Sequence, residues 1–303
     1  MIRQADQFVA SLPPYPTGRY SGRGIVVCGG GPYFVGGYAN VRLIRHLGCD
    51  WPIEWFYLPG EMDAEQRDIL APWGVRCVER PWPPQRTYKK HLGGWQLKSW
   101  AVLHSSFEEV LLVDSDSYLE REPSYLFDGP EWRDHAAIFW PDRFDLRSDA
   151  GCWMPPGAPG AWEAFGVEDS GDRRQMESGQ LLVNKARSWQ AMNLCAWYND
   201  HWQHYYNFVY GDKDTFRMAW SRTGAPFFLV PGYCGLDPGV YVQRWTDGSV
   251  AFRHLIGGKW NISGRPLIGR HFTHRQLCSR FVADLRAAWS GGEGVSGYDW
   301  RNA

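Results

Sequence analysis

Short apolar runs alternate with longer amphipathic stretches over about the first 120 residues of the chain. The apolar runs predict buried strands at 24–28, 53–57, 75–78 and 110–113. Between them, periodic apolar positions predict helices at 38–47, 63–71 and 96–106, the second with Asp63 as its N-cap. This alternation indicates an α/β domain with a mainly parallel central sheet and helices on both faces.

The second half of the chain has a less regular pattern. It predicts strands at 181–183 and 227–230, helices at 188–206 and 275–289, and a hairpin over 240–253 that turns at Asp247 and Gly248. The Gly-, Pro- and acid-rich segment 143–172 predicts a long irregular loop that closes over a site as a lid. Because neither a repeat nor a linker stands out, we expect an N-terminal extension (1–20), a single domain (21–290) and a flexible C-terminal tail (291–303).

Composition narrows the function classes. The 303 residues are 44% hydrophobic, enough for a sizeable core, and the net charge of -1 without a long basic run argues against nucleic acid as the main partner. No stretch approaches the roughly 18 apolar residues of a membrane span, and the N-terminus has no apolar signal segment, so we expect a cytoplasmic protein. The seven cysteines form no C-x-x-C pair and are expected to be reduced thiols.

Tryptophan is unusually abundant, with 18 residues among an aromatic content of 16%. One interpretation is a large aromatic core. The other is that some of these rings line a sugar site, because a flat aromatic face packs against the C–H face of a pyranose.

Two carboxylates, Asp114 and Asp116, follow directly after the predicted strand 110–113. Ligands of open α/β sheets bind at the carboxyl ends of strands, and residues two apart in a strand lie on the same side. A hard divalent cation that carries a phosphorylated ligand explains such a pair better than packing does. The alternative is two solvated acids at a turn.

The triplet Gly29, Gly30 and Gly31 follows the first predicted strand. Glycines there let backbone N–H groups approach a phosphate, although a simple tight turn explains them equally well. A dinucleotide fingerprint requires G-x-G-x-x-G, and Phe34 occupies the position of the third glycine. NAD binding is therefore disfavoured.

Three segments carry a family resemblance: SSFEEVLLVDSD at 105–116, ESGQLLVNK at 177–185 and GDKDTF at 211–216. In this order they resemble the fungal-type α-mannosyltransferases and, more distantly, the glycogenin-type glycosyltransferases, over about 24–260. The resemblance implies a GT-A fold, retention of anomeric configuration, a nucleotide-sugar donor (GDP-mannose favoured over a UDP-hexose) and Mn²⁺ or Mg²⁺. It also implies a carbohydrate or other hydroxyl-bearing acceptor.

The resemblance further assigns a metal ligand and cofactor-binding cations. It implies that His254 completes the metal site of Asp114 and Asp116, that Lys259 meets the diphosphate, and that Lys98 is a basic residue of the nucleotide site. A neutral imidazole is a suitable partner for two carboxylates around Mn²⁺. His271 and His274 are rival ligands.

The remaining candidates surround the transferred sugar or a phosphate. Glu177, predicted at a loop-to-strand turn, is placed to orient an acceptor hydroxyl or stabilise the sugar cation. The resemblance puts Asp212 or Lys213 beneath the anomeric carbon, while Asp214 either faces the sugar or caps the next helix. Arg42 shares a helix face with Arg45 and is expected either to meet a phosphate or to be solvated.

These observations favour a metal-dependent retaining hexosyltransferase, with mannose as the preferred sugar. Glu177 and Asp212 are both possible nucleophiles, and attack from the leaving-group face without a covalent intermediate is equally open. A sugar- or nucleotide-binding protein without turnover is the alternative function.

Overall fold

The computed structural model describes residues 1–81, 94–146, 160–256, 260, 262 and 272–290. The helices in these ranges are α1 (Ile2–Ser11), α2 (Phe34–His46), α3 (Ala64–Leu70), α4 (Leu97–His104), α5 (Pro130–Arg133), α6 (Ala161–Phe165), α7 (Trp189–Asp200), α8 (Trp202–Tyr205), α9 (Lys213–Thr223) and α10 (Arg275–Ala288). The strands are β1 (Arg23–Cys28), β2 (Ile53–Tyr57), β3 (Val75–Glu79), β4 (Glu109–Asp114), β5 (Ser117–Leu119), β6 (Ala137–Asp145), β7 (Arg174–Asn184), β8 (Phe227–Leu229), β9 (Gly235–Asp237), β10 (Val240–Arg244) and β11 (Val250–Leu255).

A central sheet of seven strands, counted over the described ranges, runs in the order β3-β2-β1-β4-β7-β6-β8. The first four strands are parallel, as the alternating pattern predicted. β7 is antiparallel to both of its neighbours, β4 and β6, and β6 is parallel to β8. The predicted mainly parallel sheet with helices on both faces is confirmed, with β7 as the one reversed strand among those described.

The sheet is buried on both faces, and β4 shows why. Leu111 and Val113 belong to the core that packs around α2 and α10, whereas Val110 and Leu112 belong to the core around α4, α7 and α9. Side chains of a strand alternate between faces, so a continuous apolar run supplies both cores at once. The predicted cap of α3 is also present, since Asp63 and Gln66 form a capping box.

A second, antiparallel sheet with the order β5-β11-β10-β9 lies beside the first. Its β10–β11 hairpin was predicted, with Gly248 at the turn in the left-handed region. Its outer strands β5 and β9 were not predicted because three residues each are too few to show a period. β5 begins only two residues after β4 ends, so the Ser115–Asp116 turn joins the two sheets at one point.

The N-terminal segment contains a helix that the sequence analysis missed. In α1, Ala5 is buried and the ring of Phe8 lies 5.9 Å from that of Trp197 on α7, so this segment packs against the domain. Within the described ranges, we find no helix both long and apolar enough to cross a membrane.

Several predicted boundaries shift. α2 begins at Phe34 rather than at 38, and the predicted helix 188–206 is divided into α7 and α8. The prediction of an irregular loop over 143–172 is wrong for two parts of that segment, because β6 continues to Asp145 and α6 forms at Ala161–Phe165. Its central part, 147–159, lies outside the described residues. The predicted tail 291–303 also lies outside them.

Candidate active site

A cavity of about 430 Å³ opens at the carboxyl ends of β1 and β4. Its lining contains six carboxylates, against two lysines and one histidine: Glu61, Asp114, Asp116, Asp142, Glu177 and Asp212, with Lys98, Lys213 and His254. Such an excess of buried negative charge is costly unless a cation offsets it. The cavity therefore has the electrostatic character of a cation site.

Asp114, Asp116 and His254 converge within this cavity. One donor atom from each residue lies within 4.8 Å of the other two, and the side chains are only 14%, 6% and 13% exposed. The β5–β11 pairing brings this about, because His254 lies opposite Ser117 and the N–H of Leu255 donates to the carbonyl of Asp116 at 2.9 Å. The predicted three-residue cluster is thus assembled from two sheets.

His254 lies between two carboxylates. Its Nε2 is 3.2 Å from Oδ1 of Asp116, and its Nδ1 is 3.6 Å from Oε1 of Glu177. Burial disfavours the charged imidazole, but the two carboxylates outweigh burial and raise its pKa to about 10. Burial alone would raise the pKa of Glu177, but the neighbouring His254 outweighs burial and lowers this pKa to about 2.

Glu177 does not open a turn, as predicted, but lies inside β7. The register of β6 against β7 shifts from Phe139 opposite Leu181 to Trp140 opposite Glu177, so the three residues 178–180 bulge out of this pairing. The backbone N–H of Gly179 donates to Oε1 of Glu177 at 2.8 Å. This part of β7 is mostly polar, so its sequence shows no hydrophobic alternation that would predict a strand.

Lys98, on α4, connects two of the predicted acids. Its Nζ donates to Oδ2 of Asp114 at 2.7 Å and to Oγ of Ser178 at 3.1 Å, and lies 3.8 Å from Oδ2 of Asp212. Burial opposes the charge of Lys98, but Asp114 and Asp212 outweigh it and raise the lysine's pKa. Burial raises the pKa of Asp212 to about 6.

Lys213 makes a buried ion pair with Asp142, with Nζ and Oδ2 2.5 Å apart. Asp142 is only 2% exposed, and burial raises its pKa despite the nearby ammonium group. Asp214 points elsewhere: its Oδ1 accepts from the N–H of Met176 at 2.8 Å, so it anchors β7 instead of capping α9 or facing the sugar. Asp212 occupies the N-cap position of α9 but makes no side-chain cap bond.

Other predicted residues lie away from the cluster. Arg42 is directed away from the cavity, because it pairs with Asp284 at 3.2 Å and covers the rings of Trp73 and Phe281. His274 approaches the carbonyl of Glu120 at 3.1 Å and is not part of the Asp114–Asp116–His254 group. Lys259 and His271 lie outside the described residues.

The glycine triplet is only partly at the cavity. Gly29 lines it, whereas the N–H of Gly31 donates to the carbonyl of Glu61 at 2.6 Å and begins a short 3-10 turn. A Cβ on Gly30 would lie 2.6 Å from that same carbonyl oxygen. The Gly30–Gly31 backbone thus packs against the 58–61 turn, as the tight-turn interpretation predicts.

A comparison with known protein families shows to which family this chain belongs. A family described as "Mannosyltransferase putative" matches residues 22–153 and 165–240. The chain belongs to this mannosyltransferase family. The resemblance noted in the sequence is confirmed.

Curated relatives of this mannosyltransferase family member come from yeasts. It is 25% identical to the alpha-1,2-mannosyltransferase MNN2 of Saccharomyces cerevisiae over 284 residues, which cover 79% of this chain and 46% of the relative. It is 27% identical to the alpha-1,2-mannosyltransferase MNN24 of Candida albicans over 252 residues, 69% of this chain and 34% of the relative. The chain therefore spans at most about half the length of the curated relatives it matches.

The fold of this mannosyltransferase family member is similar to that of a solved GT-A glycosyltransferase. A crystal structure of an active-site mutant of LgtC superposes with a TM-score of 0.55 at 13% identity, covering 88% of this chain and 100% of that one. The predicted GT-A fold class is confirmed.

Sequence reasoning gave no role to several cavity residues, among them Trp95, Asp142, Tyr210 and Tyr241. Asp142 could not be singled out, because a single acid after an apolar run carries no spacing signal. The aromatic residues could have been found through the tryptophan excess, but composition does not say which rings line a cavity.

Proposed function

We propose that this chain is a metal-dependent retaining glycosyltransferase that moves a hexose, preferably mannose, from a nucleotide-diphosphate sugar to an acceptor hydroxyl. The main support for this proposal is the convergence of Asp114, Asp116 and His254 at the carboxyl ends of the central strands. The names of the yeast relatives favour mannose, and hence GDP-mannose over a UDP-hexose.

The donor set fits a divalent cation. Two carboxylates and an imidazole suit Mn²⁺, which accepts oxygen and nitrogen ligands, and Mg²⁺ is the harder alternative. The Nε2 of His254 lies 3.2 Å from Oδ1 of Asp116, so this nitrogen borders the same space as the two carboxylates. Asp114, Asp116 and His254 would hold the ion, which supplies Lewis acidity toward the leaving diphosphate.

The chain's own cations would assist the departing diphosphate. Lys98 is already fixed beside Asp114, and we retain Lys259 as a further phosphate partner from the sequence analysis. Fixed cations at the position where charge develops stabilise the transition state without further reorganisation.

In the transfer, the bond between the anomeric carbon and the diphosphate oxygen breaks, and its electrons leave with the nucleotide. A bond from the acceptor oxygen to the anomeric carbon forms, and the acceptor proton passes to the oxygen of the leaving diphosphate. Glu177 and Asp212 would border the developing sugar cation. Glu177 faces Nδ1 of His254, and Asp212 lies 3.8 Å from Nζ of Lys98. These contacts lower the nucleophilicity of both carboxylates and favour acceptor attack from the leaving-group face.

A donor-hydrolysis panel tests this proposal. The chain is incubated with GDP-mannose, UDP-glucose or UDP-galactose in Mn²⁺ or in EDTA, and the released nucleotide is measured. Mn²⁺-dependent release of GDP from GDP-mannose, faster than UDP release, is the expected result. Nucleotide-sugar binding by thermal shift without hydrolysis or transfer would instead identify a non-catalytic binding protein.

A further inference from the structure

Asn40 is a fully buried amide on a side of α2 that is otherwise apolar. Nine of the ten buried residues of this helix are glycine, aliphatic or aromatic, and Asn40 is the tenth. Asparagine is mostly exposed in folded proteins, and a buried polar side chain is normally hydrogen-bonded. Asn40 does not line the cavity, so its hydrogen-bond partners indicate what it does.

The partners of Asn40 are two backbone carbonyls that flank the Ser115–Asp116 turn. Its Nδ2 donates to the carbonyl of Asp114 at 3.1 Å and to that of Ser117 at 2.8 Å. The amide nitrogen has two hydrogens, so each carbonyl receives one. A single side chain of α2, 74 and 77 positions away in the sequence, therefore fixes the spacing between the end of β4 and the start of β5.

The same helix contacts the turn at a second place. A Cβ built on Gly36, about one helical turn before Asn40, would lie 3.3 Å from the carbonyl oxygen of Ser115. The hydroxyl of Tyr118 donates to the carbonyl of Gly36 at 2.9 Å. α2 therefore lies against this segment over a full helical turn, and the absence of a side chain at position 36 permits the close approach.

The second sheet binds the carbonyl of Asp116. The N–H of Leu255 donates to it at 2.9 Å, and Leu255 directly follows His254 in β11. With the two bonds from Asn40, three of the four carbonyls of segment 114–117 accept a hydrogen bond from another element. The backbone that carries both aspartates of the cation site is thus held by α2 and by β11.

The position of this backbone determines where the two carboxylates lie relative to His254. Mn²⁺ and Mg²⁺ take octahedral ligand sets, so their ligands must be held in place. Supporting contacts behind the ligands change metal affinity by about 10–100-fold. We propose that Asn40 is a positioning residue, which sets the spacing of Asp114 and Asp116 for the cation. This inference rests on the proposed cation site, but it is measured by metal binding without turnover.

Calorimetric titration of Mn²⁺ into the wild type, Asn40→Ala and Asn199→Ala tests this role. Asn199 is the matched control, because it is also buried and its Nδ2 also donates two hydrogen bonds, to the carbonyl of Cys195 and the hydroxyl of Thr215. Neither of these partners lines the cavity. We expect urea denaturation to show a loss of stability in both variants, but only Asn40→Ala to bind Mn²⁺ at least about tenfold more weakly.

Electron paramagnetic resonance of the bound Mn²⁺ reports ligand geometry rather than stability. At saturating Mn²⁺, the zero-field splitting should change in Asn40→Ala and stay as in the wild type in Asn199→Ala. Asn40→Asp keeps the shape of the side chain but has at most one hydrogen to donate, so it should also bind Mn²⁺ more weakly than the wild type. If changes at position 40 prevent folding, Tyr118→Phe, which removes only the bond to Gly36, should weaken Mn²⁺ binding about threefold.

Wild-type Mn²⁺ affinity and an unchanged spectrum in Asn40→Ala would overturn the positioning role, and so would an equal loss of affinity in Asn199→Ala. If the Asn40 variants do not fold, wild-type affinity in Tyr118→Phe would overturn it. Absence of Mn²⁺ binding in the wild type would overturn the cation site and this role together. Failure of the transferase function alone has a different signature, namely Mn²⁺ binding that depends on Asn40 in a chain that releases no nucleotide from any donor.

Discussion

Gly179 and His254 occupy complementary positions, because a Cβ built on Gly179 would lie 2.6 Å from Nδ1 of the imidazole. Real Cβ atoms do not approach a ring this closely, so the bulge in β7 leaves room for His254 only while residue 179 lacks a side chain. Gly179 thereby limits how closely His254 can approach the part of β7 that carries Glu177.

Gly179→Ala should weaken Mn²⁺ binding at least tenfold, because either the imidazole or the β7 bulge must move. Overpacking of this kind also costs about 1–3 kcal/mol of unfolding free energy. Calorimetry measures the Mn²⁺ affinity, and urea denaturation measures the free energy of unfolding. Gly235→Ala is the matched control, because a Cβ there meets nothing closer than 3.4 Å. Unchanged Mn²⁺ affinity in Gly179→Ala would show that His254 is not a ligand in this position.

Asp116→Ala should abolish Mn²⁺-dependent donor hydrolysis while the chain stays folded, since Asp116 contributes a donor atom to the predicted cation site. Asp128→Asn, a change at an exposed carboxylate outside the cavity lining, should hydrolyse donor like the wild type. Circular dichroism compares the folding of the two variants with that of the wild type. Nucleotide release under saturating Mn²⁺ compares their activities. Full activity of Asp116→Ala in EDTA would contradict a catalytic metal.

The local sequence was enough to predict the central strands and the two aspartates of the proposed cation site. Val110–Val113 fills both cores, and the Asp114–Asp116 spacing is visible because the carboxylates follow an apolar run directly. His254 is different, since it is more than a hundred residues away and reaches Asp116 through the β5–β11 pairing. Only the family resemblance pointed to it, because a three-residue strand such as β5 has no readable period.

Two errors have physical causes that sequence cannot reveal. Arg42 was expected at a phosphate or in solvent, but α10 covers its helix face and places Asp284 beside it, a contact across 242 positions. Glu177 was placed in a turn because residues 174–180 are mostly polar. They are nevertheless in a strand, since this part of β7 faces a charged cavity, in which Glu177 lies beside His254.

Lys98→Met should destabilise the fold by about 3–5 kcal/mol, because it leaves Asp114 and Asp212 as buried carboxylates without their cation. In a double-mutant cycle, the same change in an Asp212→Asn background should cost clearly less, since one of the two charges is already removed. Urea denaturation of the four proteins yields the coupling free energy. Strict additivity would mean that Lys98 does not stabilise Asp212.

Lys185, which lies away from the cavity, should make a contribution to stability that rises with pH between about 7 and 10. Lys185 is fully buried, donates to the carbonyl and hydroxyl of Ser105 at 2.6 and 2.9 Å, and lies 4.1 Å from the ring centroid of Tyr20. Burial lowers its pKa to about 7, whereas an unfolded lysine titrates near 10.4. Between these values the unfolded chain binds a proton that the folded chain does not, so this lysine contributes a rise of up to about 1.4 kcal/mol per pH unit.

Lys185→Met tests this linkage, because methionine fills similar volume and does not titrate. The difference in unfolding free energy between wild type and variant should change in favour of the wild type as pH rises from 7 to 10. His254, the thiols and the tyrosines are present in both proteins, and their contributions cancel in that difference. Parallel profiles across this range would mean that Lys185 stays protonated in the folded chain, with the Tyr20 ring and Ser105 compensating for its burial.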